Sequence, residues 1–170
     1  MTAVIDGSNL ATTGLINSGT AQATTSGTIV TFTGIPAGTK RVTMIFNGVS
    51  TSGTSILQVQ IGSGSLVTSG YASTTIRIAN NSSTGGGSIS TGFAINSSGI
   101  VATDDVTGTL ILSNVSGNGW VASITGSVST AVAIIGGGAL TLSGTLDRIA
   151  LTTVNGTDTF DSGSVNIQYE

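Results

Sequence analysis

Apolar residues in this chain recur with a period of two, and turn signals separate the runs every ~8–12 residues, the rhythm of a sandwich or barrel. No window sustains the 3.6-residue period of an amphipathic helix or carries its caps, so the class is all-β. TIVTFT (28–33) sets Ile29 and Thr31 against Val30 and Phe32, and RVTMIFNGV (41–49) lines up Val42, Met44 and Phe46. In SILQVQIG (55–62), Ile56, Gln58 and Gln60 oppose Leu57, Val59 and Ile61. TIRIA (75–79) is expected to point Ile76 and Ile78 inward and Arg77 outward. With TGFAI, VTGTLILSNV, GWVASITGSV, TAVAII, ALTLSG, DRIALTTV and GSVNIQY, about eleven candidate strands result. NNSSTGGGS (80–88) reads as the clearest loop. Residues 1–25, with Asp6-Gly7 and Ser18-Gly19 turns around short apolar pieces, read as an N-terminal arm or shaft-joining segment, and residues 26–170 as one β-sandwich domain.

Only 6% of the residues are charged, against about 25% in an ordinary soluble protein. Disordered chains are charge-rich and poor in β-branched residues, whereas Thr, Val and Ile abound here and the mean hydropathy is +0.42, so the chain folds. A surface covered by Ser, Thr, Asn and Gly offers weak repulsion between copies, and edge-to-edge association follows unless those surfaces are buried. Several copies are therefore expected to assemble. A formal net charge of −3, with Lys40, Arg41, Arg77 and Arg148 as the four basic residues, argues against nucleic acid. No run approaches the ~18 apolar residues of a membrane span, and MTAVIDGSNL lacks the basic residue and apolar core of a signal peptide. Release by cell lysis fits such a chain better than secretion.

Without His or Cys, neither a Ser-His-Asp nor a Cys-His arrangement can be built, and zinc, copper and non-haem iron lose their usual ligands. GGGS (85–88) and GGGAL (136–140) lack the lysine and the helix of a phosphate loop, and the sole lysine, Lys40, reads as a solvated charge at a strand end. Of the seven carboxylates, Asp158 and Asp161 are close enough in sequence for a glycosidase pair, but their setting, NGTDTFDSGS, favours turn-capping. Asp104-Asp105 and the same 158–161 stretch are the calcium candidates, and neither has the ligand spacing of a calcium loop. No catalytic residue, metal or cofactor is assigned. For ligand contact, Tyr71 in the turn SGYAS is expected to be exposed, and Arg77, Asn80 and Asn81 flank the loop where they can hydrogen-bond a glycan. Trp120 reads first as core and second as a sugar-stacking ring, while Tyr169 is expected to pack in the last strand beside Ile167.

NGTDTFDSGSVNIQYE (155–170) resembles the terminal signature of bacteriophage tail-fibre and tail-spike C-terminal domains, which end in a strand after an F-D-x-G-S turn with a closing Y-E. FTGIPAGTKRVTMIFNGVSTSGTS (32–55), WVASITGSVST (120–130) and LSGTLDRIALTTVNGTDTF (142–160) resemble the same domains in the same order, covering most of residues 28–170. The resemblance implies an antiparallel, jelly-roll-like β-sandwich, assembled as a homotrimer on a virion, that binds a host cell-surface receptor such as a glycan or organises the fibre tip. It also implies other virion structural proteins as partners. The family domain follows a long shaft, whereas some two dozen residues precede it here. That departure leaves open a fragment of a longer chain, or a capsid-mounted fibre, decoration or cement protein attached through its N-terminal arm.

Overall fold

The computed structural model describes residues 16–79, 82–97, 100–129 and 132–170. Its strands are β1 (Asn17–Ser18), β2 (Gln22–Ala23), β3 (Ile29–Thr33), β4 (Arg41–Thr51), β5 (Leu57–Ser63), β6 (Ser65–Leu66) and β7 (Ala72–Ala79), followed by β8 (Ser82–Ile89), β9 (Phe93–Ala94), β10 (Val106–Ser116), β11 (Gly119–Val128), β12 (Val132–Thr141), β13 (Arg148–Thr153) and β14 (Phe160–Tyr169). All strand pairings are antiparallel. A wide sheet runs β1-β14-β4-β10-β11-β12-β7-β8 with β2 also on β14, and a narrow sheet runs β3-β13-β5-β6 with β9 also on β5. The protein is all-β and sandwich-like.

Alternation explains which faces meet. Val42, Met44 and Phe46 of β4, Leu110 and Leu112 of β10 and Ile124 of β11 are buried from the wide sheet. Val30, Phe32, Leu57, Val59, Ile61, Ile149 and Leu151 are buried from the narrow one, in the same core cluster. Each such side chain contributes about 1.5–3 kcal/mol on burial, so the core needs no disulfide. The alternation read for β3 and β4 is the one observed. In β5 both faces are buried, because Thr91 covers the glutamine side: its hydroxyl donates to Gln58 Oε1 at 2.7 Å, and its carbonyl accepts from Gln60 Nε2 at 2.9 Å.

Three expectations are corrected. First, Ile76 and Ile78 are exposed, and Ser73, Thr75 and Arg77 take the inward side of β7. The parity is fixed by neighbouring anchors: Tyr71 is buried, and Ser73 Oγ accepts the Ala94 N–H at 2.9 Å. A one-residue change of parity turns over every side chain of a strand. Second, Ser82–Ile89 is a strand rather than a loop, pairing with β7 from Ser73↔Ile89 to Ala79↔Ser82. A sheet edge supplies the ladder partner that its glycine-rich composition would not recruit alone. Third, the described part of TAVAII and the start of ALTLSG belong to one strand, β12 (Val132–Thr141), that passes straight through Gly136-Gly137-Gly138. At the start of the described residues, β1 and β2 pair with β14, and buried Thr24 donates its hydroxyl to Ser162 O at 2.7 Å.

Candidate functional site

Tyr71, expected at the surface, is 4% exposed. Its hydroxyl accepts the Ile61 N–H at 2.8 Å and donates to Val67 O at 3.0 Å, and its ring meets Phe93 edge-on with centroids 4.9 Å apart. Burial pushes its phenol up to about 12, against the pull of the Ile61 hydrogen bond. A residue so engaged holds β5 to the segment entering β7 and presents nothing to a ligand. Trp120 is core, as its first reading had it, and its inward neighbours across the ladder include Leu140. The ring backs a shallow depression of about 450 Å³ that Val115, Val121, Ala139 and Gly70 also line. Arg77 is half-buried on the inward side of β7, away from the face it was expected to serve. Asn80 and Asn81 lie outside the described residues. Of the three candidates among the described residues, Tyr71 and Trp120 are buried and Arg77 is half-buried.

The carboxylates that are hydrogen-bonded serve turns. Asp158 accepts the Ser55 N–H at 2.9 Å and Asn155 Nδ2 at 2.6 Å, tying the β13–β14 connection to the β4–β5 connection. Asp104 accepts the Val101 N–H at 3.0 Å and the Ser129 hydroxyl at 3.1 Å. Asp161 is exposed on β14. Asp147 accepts from the Arg148 guanidinium at 2.8 Å and from the Gly64 N–H at 3.0 Å, and Arg148 first of all holds its carboxyl below the usual range. Arg41 pairs with Glu170, and Lys40 Nζ reaches Asn114 Oδ1 at 3.4 Å. Among the described residues, no group of three or more His, Cys, Asp or Glu side chains comes together.

The surface that stands out is the outer face of the wide sheet. Ladder registers place Ile45, Thr109, Thr125, Ile135, Ile76 and Gly86 in one transverse row from β4 to β8. Thr43, Ile111, Ser123, Gly137 and Thr74 form the next, and Ser113, Val121, Ala139 and Ala72 a third, which Arg41 ends. Ser127, Ala133 and Ile78 continue the face beyond the first row. Of these positions only the corner residue Arg41 is ionised, and Glu170 neutralises it. Ile78, Ile111, Ile76, Val121 and Ile135 stand 36–50% exposed there, half of the large apolar side chains exposed among the described residues. Scattered surface aliphatics are ordinary, but here five exposed ones share a single sheet face with Ser and Thr and almost no charge, the composition of a contact surface.

Sequence reasoning missed this face because it assigned Ile76 and Ile78 to the core. The available signal was AVAII (131–135), whose apolar residues at successive positions are more than one buried face can absorb. No family model, no curated protein and no solved structure matches this chain.

Proposed function

We propose that this chain is a structural protein of a bacteriophage virion, the distal host-receptor-binding or fibre-tip domain of a tail fibre. On this proposal it works as a homotrimer and acts by non-covalent recognition rather than catalysis. The observation that supports an assembled protein is the outer face of the wide sheet, where hydroxyl and aliphatic side chains fill row after row with ionised groups confined to one corner. An ordinary solvated sheet face alternates core residues with charged ones, whereas this one offers area without repulsion. The phage address rests on the F-D-x-G-S motif and terminal Y-E of residues 160–170, together with the ordered strand motifs before them. The F-D-x-G-S residues, expected as a turn, are the irregular start of β14, and the other motifs fall on β4, β11 and β13.

Immunogold labelling of purified virions with antibody against the chain tests the address. Label at the fibre or tail tip is the expected result, and virions free of the protein would overturn the proposal. Label confined to heads would transfer the same fold to the capsid as a decoration or head-fibre protein. Recognition is tested separately by binding fluorescent protein to host cells. Staining lost after periodate oxidation of surface glycans identifies the receptor as carbohydrate.

A further inference from the structure

We infer that the outer face of the wide sheet is the surface through which copies of this chain pack on one another, an inference that rests on the self-associating virion protein proposed above and names its interface. Five strands, β4, β10, β11, β12 and β7, at ~4.8 Å spacing and four alternate positions along each at ~6.8 Å give a plan area of about 600 Å². A standard interface buries about 800 Å² per partner, so the face approaches what one stable contact needs before its rim is counted.

Charge selects the occupant. A nucleic acid, an acidic lipid surface or a charged protein would meet no counter-charge on these rows, and the one ion pair at the corner is internally satisfied. A second copy of the same uncharged face meets no repulsion and brings its own Ile76, Ile78, Ile111, Val121 and Ile135 to match. Geometry agrees with charge. Two identical sheets carry the same right-handed twist, and like-twisted sheets stack face to face with interdigitating side chains. Around a three-fold axis the face is shared between two neighbours, the β7/β12 half of one subunit against the β4/β10 half of the next, so each contact takes about 300 Å² of it and its rim must supply the rest.

The test is the solution mass of the full 16.6 kDa chain by light scattering and sedimentation across a wide concentration range. The wild type and Val154→Asp, which adds a charge at an exposed position outside this face, are expected to give the same multimer. Ile135→Asp and Ile76→Asp are expected to weaken self-association by about 100-fold or more while retaining the β circular dichroism spectrum, since each buries a carboxylate in the contact. Should either charged variant unfold, Ile135→Thr decides, because it keeps the β-branch and adds only a hydroxyl, and it too is expected to dissociate more readily. Multimers undiminished in the folded Ile135 and Ile76 variants would overturn the inference and leave a virion protein that assembles through another surface. A wild-type monomer at about millimolar concentration would overturn the self-association itself, whereas the virion address is judged independently by the labelling of particles.

Discussion

Tyr71 shows how one hydroxyl can hold two segments of a sandwich. It accepts from Ile61 N–H and donates to Val67 O, both on the narrow-sheet side, while its ring lies against Phe93. Tyr71→Phe keeps the ring but strands a buried N–H, which costs about 1–3 kcal/mol in urea denaturation at neutral pH. Alkaline titration gives a second signature. The folded-state phenol sits at about 12, above its ordinary 10.0, so the unfolded chain loses this proton first. The stabilisation is complete below the lower value and fades as pH climbs toward the upper one, a decline of roughly 2–3 kcal/mol. Denaturation midpoints of the wild type measured from pH 9 to pH 12 should fall more steeply than those of Tyr71→Phe, and parallel slopes would show that the phenol ionises as readily in the folded chain as in the unfolded one.

Among the elements, β12 is the strand whose composition is most at odds with its place. Gly136, Gly137 and Gly138 carry no side chain to pack, yet the strand sits between β11 and β7. A methyl at Gly138 would lie 2.9 Å from Phe93 Cδ1 and 2.5 Å from Ala72 O, whereas at Gly137, on the outer face, the nearest atom is Ala122 O at 3.2 Å. Gly138→Ala is therefore expected to destabilise by about 1–3 kcal/mol through overpacking, and Gly137→Ala by clearly less, both read from urea midpoints. The same strand explains what could be read in advance. Where one face of a strand was uniformly large and apolar, as in Val42-Met44-Phe46 or Leu57-Val59-Ile61, alternation alone gave the inward side. Where small hydroxyl residues fill the inner face, as Ser73 and Thr75 do in β7, hydrophobicity pointed the wrong way, because the parity is set by hydrogen bonds from Tyr71 and Ser73 to distant segments. The glycine runs were opaque for a related reason: pairing in a ladder needs only backbone, and a sheet edge or two flanking strands can impose it on any composition. Of the candidate contact residues, Trp120 was placed in the core by its strand position, and Tyr71 was misplaced because its turn setting concealed a buried hydroxyl network.

For the molecule as a whole, the proposed self-association makes a thermal prediction. If copies bury the outer face, folding and association are linked, and the melting temperature should fall by roughly 2–5 °C for each tenfold dilution. Differential scanning fluorimetry over three decades of concentration measures this, and Ile135→Asp should abolish the dependence. A wild-type midpoint independent of concentration would mean that each sandwich stands alone. The order in which the sandwich can form follows from β14. It lies against β4, with Tyr169 opposite Val42 and Ser164 opposite Asn47, so one long pairing of the wide sheet joins segments far apart in the sequence. No local hairpin can substitute for that closure, and its loop entropy must be met before the ladder rewards it. Such a molecule gathers itself over milliseconds to seconds rather than microseconds. Throughout that interval β4 has an open flank, so the speed with which β14 arrives decides between a finished particle and an aggregate.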